Sequence, residues 1–460
     1  MRLDQGKKRL LYILAGIICL AIWNSAMEAG KKYSLRRLPP STVAVIQSEK
    51  ERSGGIAERE IAAMVRKSVE MAGGFAGLIK DRQTVVIKPN LVQMNDYLDG
   101  SELPPEANGV TADWRVVKAL VALVREYNPR GKVYVMECSS IGTEGVMKAL
   151  KYTPRFIPGV DAFVAIEKDS GAWNDKKRLV RVKLPQGMIR KEYMLNKRYK
   201  RADVLISVPC LKTHWSAVIT GAVKNVGMGA IPINTYPRAG IDHGSDELHR
   251  WIHDFYLCRP VDFVVMDGLV GIQNGPAPIA GPEVNDPKTG PPKKAADSQM
   301  NMRLILAGKD AVAVDAIAAL VMGWDPGSVN HLRYLNADGA GNLDTARITV
   351  VGKPVDAVRK YFAGRIPRAG GRKIPACRPP GIVSLRYNKS RGRLEIHLEA
   401  KAPIYKAEVY MDGKICRITA PLKKSRISWR IAGLSPGKHH AAVRIYDRYL
   451  NCSERKLNLI

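Results

Sequence analysis

At 460 residues the chain is too long for one ordinary domain. Its 46% apolar and 25% charged content excludes a disordered polyampholyte and marks a globular protein. The formal net charge of +30 favours anionic partners, yet no Lys/Arg block is interleaved with aromatics and no zinc-finger spacing occurs, which argues against nucleic acid.

The N-terminus reads as a targeting segment. Arg2, Lys7, Lys8 and Arg9 precede the apolar run Leu10–Trp23, and small residues follow at 24–26. The run has the length of a secretory h-region and is short for a spanning helix, so it is a signal peptide or an uncleaved signal anchor. Lys31, Lys32, Arg36 and Arg37 follow the run, so charge alone does not set its orientation; the expectation is a body outside the cytoplasm, in the periplasm or at the cell surface. Residues 1–40 are thus leader and basic linker.

An α/β pattern occupies residues 41–363. Strands are expected at 42–47, 84–88, 132–137, 202–208, 263–266, 301–307 and 347–351. Between them, residues 55–73, 114–127 and 310–322 carry apolar side chains at helical spacing. Strand and helix in alternation imply a mostly parallel sheet with helices on both faces. Residues 268–294 are rich in Gly, Pro and Asn and read as one long loop. A basic linker at 364–380 leads to short alternating strands over 381–460, a small all-β sandwich in which basic residues far outnumber acidic ones.

Seven cysteines, Cys19, Cys138, Cys210, Cys258, Cys377, Cys416 and Cys452, contain no CxxC pair, so no iron–sulphur or structural zinc motif is present. Cys416 and Cys452 are either a disulfide or two free thiols.

Chemically able residues cluster just after strands, where open α/β sheets hold ligands. Lys88 and Asn90 follow the second strand. Cys210, Lys212, Thr213 and His214 follow the fourth. Gly221, Lys224, Asn225, Gly227 and Gly229 read as a glycine-spaced loop able to bring backbone N–H groups to an anion. Asp267 follows the fifth strand, and Asp315 lies within an apolar helix, where a carboxylate needs a partner. His249 and His253 stand four residues apart, as on a solvated helix face.

The blocks IKPNL (87–91), VPCLKTHWSAVITGAVKNVGMG (208–229), VMDGLVGIQNGPAP (265–278) and NMRLILAGKDAVAVDAIAALVMGWDP (301–326) resemble, in this order, the domain-of-unknown-function 362 family over roughly residues 42–352. The matching positions are Lys88, Asn90, Lys212, His214, Lys224, Asn225, Asp267 and Asp315. The resemblance implies an α/β fold distantly similar to the nickel-pincer lactate racemases, which act on small hydroxy acids. The segment GLSPGKHHAAVRIYDRYLNCSE (433–454) looks like the closing hairpin of immunoglobulin-like or fibronectin-like adaptors.

The combined expectation is an exported or tethered enzyme taking a small carboxylate or phosphate. Lys88, Asn90, Gly221, Lys224, Asn225 and Gly227 would bind the anion. His214 and Lys212 would be catalytic in an isomerisation or proton transfer. The cofactor is left open, with a divalent metal held by His214, Asp267 and Asp315 as the candidate. The alternative is a non-catalytic envelope protein that docks on anionic membrane or envelope surfaces through its basic sandwich.

Overall fold

A computed structural model describes residues 38–92, 104–140, 142–237, 240–276, 295–364, 370–375, 380–399, 404–419, 426–431 and 437–459. The expected leader and Cys19 lie outside them. No helix among the described residues is long and apolar enough to cross a membrane.

The body is built on one mixed sheet. Among the described residues its ten strands are β1 (Ser41–Gln47), β2 (Thr84–Pro89), β3 (Lys132–Glu137), β4 (Ala162–Ala165), β7 (Val204–Val208), β8 (Cys210–His214), β9 (Val218–Ile219), β10 (Phe263–Ile272), β11 (Gln299–Gly308) and β12 (Ile348–Gly352). A small hairpin, β5 (Leu179–Lys183) with β6 (Glu192–Asn196), stands apart. The spatial order is β12-β1-β11-β10-β7-β2-β3-β4. Five of the seven pairings along this order are parallel, and β11 runs antiparallel to both neighbours; off it, β8 pairs parallel with β10 and antiparallel with β9. Strand β10 is buried throughout its length, so it reads as an apolar run without alternation. It continues to Ile272, well past the expected end at Met266, so residues 268–272 are strand and not loop. Of the expected long loop, 277–294 lie outside the described residues.

Helices cover both faces. On one face α1 (Glu58–Met71) packs on β1 and β11 and against α2 (Trp114–Tyr127), and the two helices bury Ile61, Val65, Val117 and Leu120 in one core with Val85, Val133 and Ile206 of the sheet. The Asp113 side chain accepts from Arg115 N at 2.9 Å and caps α2. On the other face lie α3 (Gly221–Gly229), α4 (Glu247–Cys258), α5 (Ala311–Val321) and α6 (Asn330–Ala337). The chain moves outward from β2 through β3 to β4, then returns to the opposite side of β2 as β7. The order therefore reverses between β2 and β7, and a crevice opens at the carboxyl ends of such strands.

Helix α3 corrects the expectation of a glycine loop at 221–229. Its glycines serve close packing. A Cβ on Gly227 would come 2.8 Å from the Ile252 carbonyl of α4, and one on Gly229 would come 2.7 Å from Lys88 Nζ. Gly221 sits at φ +59, and a Cβ there would fall on the Asp315 carboxylate.

Seven antiparallel strands make the C-terminal part: β13 (Ile382–Asn388), β14 (Arg393–Leu398), β15 (Lys406–Met411), β16 (Lys414–Thr419), β17 (Arg426–Arg430), β18 (His439–Tyr446) and β19 (Cys452–Leu459). They form two sheets, β13-β14-β17 and β16-β15-β18-β19, around Leu394, Ile396, Val409, Trp429 and Val443. The fold is thus α/β with a small all-β sandwich. Cys416 and Cys452 are free thiols on strands at opposite edges of the four-stranded sheet, which keeps them apart.

The sandwich is fastened to the body. Lys406 Nζ donates to the Ile348 carbonyl of β12 at 2.8 Å. Tyr405 OH donates to Asp344 at 2.5 Å, and Cys452 N donates to Asp356 at 2.9 Å.

Candidate functional site

A cavity of about 240 Å³ opens where the strand order reverses. It is lined by Asn90 after β2, Glu137 and Cys138 at the end of β3, His214 after β7, Lys224 and Asn225 on α3, and His243 before α4. The fold thus brings Asn90, His214, Lys224 and Asn225 together.

Lys88 is fully buried and sits 2.6 Å from Glu137 Oε1. It also donates to the Pro89 carbonyl at 2.7 Å and to Asn225 Oδ1 at 3.1 Å. Its three protons therefore already meet protein acceptors. Lys88 shapes the floor of the cavity and does not reach for an anion. Glu137 accepts from Leu91 N at 2.6 Å and from Cys138 N at 2.7 Å. A buried pair needs such additional hydrogen bonds to offset desolvation.

Asn225 is the hub of this floor. Its amide donates to the Lys88 carbonyl at 2.9 Å and to Ser207 Oγ at 3.0 Å, while its Oδ1 accepts from Lys88 and from Asn90 Nδ2 at 3.3 Å. Asn90 Oδ1 is buried with no hydrogen-bond partner among the described residues. An unsatisfied buried acceptor at a cavity wall is costly, and a ligand that brings a hydroxyl would satisfy it.

Two histidines face this space in opposite tautomers. His214 Nδ1 accepts from Ser216 N at 3.1 Å and Ala217 N at 3.3 Å. Backbone amides only donate, so the ring proton sits on Nε2. Burial, and then the charge of Lys224, hold its pKa well below the usual imidazole range, so the ring is neutral and His214 offers a donor. His243 Nδ1 lies 2.7 Å from the Ile241 carbonyl, which only accepts. In the neutral ring its Nε2 therefore carries a lone pair. Sequence reasoning missed both Glu137 and His243. The signal for Glu137 was a carboxylate ending a buried strand, as in KVYVME.

The remaining expected residues lie elsewhere. Lys212 Nζ donates to the Val110 carbonyl at 2.6 Å, and burial lowers its pKa to about 8. It ties down the segment before α2 and does not line the cavity. Asp267 accepts from Asp113 N at 2.8 Å and Leu269 N at 3.0 Å. Burial, and then the neighbouring Asp113, push its pKa up to about 7. Asp315 accepts from Ala222 N at 2.6 Å and Val223 N at 2.9 Å, so it caps α3 from α5, with burial raising its pKa to about 7. Its partners are backbone amides, not the Lys or Arg that an ion pair would supply. Gly221 and Gly227 serve this cap and the packing of α3 on α4.

His214, Asp267 and Asp315 do not assemble. Among the described residues no three His, Cys, Asp or Glu side chains are grouped so as to hold a metal. Each carboxylate is turned to backbone amides instead. The expected metal triad therefore does not fit, and no step is routed through a metal. Cys210 is fully buried, and burial pushes its thiol pKa upward, the opposite of an activated nucleophile. His249 and His253 are also buried and do not lie on a solvated face. His249 Nδ1 lies 2.8 Å from His331 Nδ1, and His253 lies between Asp254 and Asp338 at 2.8 and 2.9 Å.

A family model for a domain of unknown function, DUF362, matches residues 85–320, which is more than half of the chain. The chain belongs to the DUF362 family. The matched stretch runs from β2 to α5 and contains the whole lining of the cavity. This DUF362 chain is 22% identical over 291 residues to the thylakoid-associated protein sll1697 of Synechocystis, covering 63% of this chain and 76% of that one. Among solved structures it is similar to the lactate racemase apoprotein of Thermoanaerobacterium thermosaccharolyticum, at 12% identity and a TM-score of 0.31. That alignment covers 59% of this chain and 54% of the racemase, so the chain spans about half of its length. A likeness of that size says nothing about the reaction.

Proposed function

We propose that this DUF362 protein is an enzyme of proton transfer or isomerisation acting on a small hydroxy carboxylate. The observation that carries the reading is the complementary set of groups on one small cavity. His214 offers Nε2–H, Lys224 an ammonium, Asn90 Oδ1 an unsatisfied acceptor, and His243 an Nε2 lone pair. A carboxylate needs the first two, and a hydroxyl needs the third. The fourth suits a general base that takes the proton beside the carboxylate. A neutral imidazole donor can polarise an oxygen on which charge develops without giving up its proton. The lysine–glutamate floor holds Asn225, which holds Asn90. The same kit leaves phosphate as the competing anion.

The test is proton exchange. L-lactate and L-malate are incubated with the protein in deuterated buffer, and loss of the α C–H signal is followed by NMR. Exchange that vanishes in His243→Ala, with binding retained, supports the assignment. Lys224→Met and His214→Ala should weaken binding at least tenfold without loss of folding. Exchange that persists in His243→Ala, or wild-type protein that binds neither acid, overturns the reading.

The finer placement belongs to the same proposal. The apolar run Leu10–Trp23 supports export or tethering, with the body outside the cytoplasm. Seven strands divided three and four support an immunoglobulin-like or fibronectin-like module. A second reading, docking on an anionic envelope surface through this module, is favoured by the arginines on its outward face.

A further inference from the structure

We propose that the outward face of the β13-β14-β17 sheet is a binding site for an acidic polysaccharide. The inference rests on the docking reading and names its surface and partner. Strand register sets the face. Leu385, Leu394, Ile396 and Trp429 point into the sandwich core, so their sequence neighbours point out. Three rungs result: Ser384–His397–Arg426, Arg386–Glu395–Ser428 and Asn388–Arg393–Arg430. Four arginines and one histidine thus share a face with a single carboxylate.

One rung is electrostatically unfavourable as it stands. Arg393 and Arg430 are direct cross-strand partners, and like charges placed so are destabilising. The Arg393 guanidinium turns to Ser428, donating from Nε to Oγ at 2.7 Å and from Nη2 to the carbonyl at 3.0 Å. No carboxylate pairs with that rung among the described residues. A polyanion laid across the face would relieve the repulsion.

The shape selects a chain over a membrane. Ser384, Arg386, Glu395, His397, Arg426 and Ser428 line a groove of about 490 Å³, within the range of roughly 300–1,000 Å³ typical of ligand sites. Strands roughly 4.8 Å apart and rungs roughly 7 Å apart repeat the positive charges along the face, as an extended chain carrying a carboxylate on each unit requires. Serine hydroxyls, the imidazole and Glu395 suit sugar hydroxyls. A bilayer is flat and would meet the rim of the groove only.

Polygalacturonate is the probe, with dextran as the neutral control and the full-length protein as the sample. Wild type should be retained by polygalacturonate in low salt and released as salt rises. Arg386→Glu with Arg426→Glu should weaken retention at least tenfold. Lys414→Glu with Lys438→Glu, the same charge change outside this sheet, should alter it less than twofold. Arg430→Glu turns the repulsive rung into an attractive one, so it should raise the unfolding temperature while weakening retention. Equal losses in both double variants would reduce the effect to net charge and overturn the proposal. Retention unchanged in the Arg386/Arg426 variant would leave docking intact but remove this face from it. Wild type held by neither polygalacturonate nor phosphatidylglycerol vesicles would sink docking itself, and binding to vesicles alone would make the partner a bilayer. L-lactate exchange, read on the same samples, reports separately on the cavity.

Discussion

Among the described residues, two buried lysine–glutamate pairs of nearly the same geometry lie in very different places. Lys88 and Glu137 lie 2.6 Å apart beneath the cavity, and Lys406 and Glu408 lie 2.8 Å apart where the sandwich meets the body. Every one of these four side chains is at most 2% exposed. In the first pair the neighbours are amides, Asn225 and Asn90, which carry the arrangement to the cavity wall. In the second the neighbours are structural. Lys406 lies 4.7 Å from the Tyr446 ring centroid, and Tyr410 and Tyr446 each donate to Glu408 at 2.7 Å. A buried ion pair is thus no indicator of function by itself. What distinguishes the two is what their hydrogen bonds reach: the first ends at the strand-end cavity with His214, Lys224 and His243, the second, through Tyr410, at a groove between β12 and the sandwich.

Breaking either pair should produce the largest effect. Lys406→Met leaves Glu408 buried and unpaired, and denaturant unfolding should register a loss of about 3–5 kcal/mol. Lys88→Met should cost a similar amount. The double variants then separate the two. Lys406→Met with Glu408→Leu should recover most of the stability and retain L-lactate exchange. Lys88→Met with Glu137→Leu should recover stability but not exchange. Recovery of exchange in the second double variant would make the two pairs equivalent and strip the cavity pair of its role.

A smaller disturbance reaches the cavity pair without deleting it. Gly229→Ala places a methyl group 2.7 Å from Lys88 Nζ, so the ammonium must shift from Glu137. Overpacking of this kind costs roughly 1–3 kcal/mol. Calorimetry should show the lower melting temperature, and exchange should slow. No analogous response is expected from Gly413→Ala at the sandwich hairpin beyond its own backbone strain at φ +78.

The body also differs from the sandwich in its response to acid. His214, His249 and His331 are buried, and burial lowers the pKa of each, to about 4 for His249. The unfolded chain therefore binds protons that the native body refuses. Their contribution to stability is present above about pH 6.5 and is lost as the pH falls toward 4, at up to about 1.4 kcal/mol per pH unit for each ring. The stability difference between wild type and His249→Gln should shrink over that window. A difference independent of pH would mean that His249 is charged in the native state. The smallest effect belongs to Cys210→Ala, which should leave exchange intact because its thiol is not activated.

Much of the body was legible in the chain because its signal is local. Helix α2 falls at 114–127 as its apolar spacing predicts, and β3 falls at 132–137. Fully buried strands also announce themselves, as at Val204–Val208. What failed were features whose meaning depends on distant partners. Three glycines lower helix propensity in any local reading, yet α3 forms because Gly227 must lie against α4 and Gly229 against Lys88. Asp315 suggested a metal ligand because its acceptors' partners, Ala222 N and Val223 N, stand ninety residues away. Nothing local marks His243 either. Its tautomer follows from the Ile241 carbonyl, and its place at the cavity follows from the path of the chain into α4.

Strand β12 closes one end of the main sheet, and parallel pairing with β1 occupies only alternate backbone groups. The Ile348 carbonyl faces the other way, where Lys406 receives it. An open strand end of apolar sequence is a template for self-association between identical chains. By laying a cationic side chain and a folded module against that edge, the protein withholds it from other copies. A chain that lost its last eighty residues would therefore be prone to stack edge to edge into insoluble aggregates, so the appended module guards solubility whatever it binds.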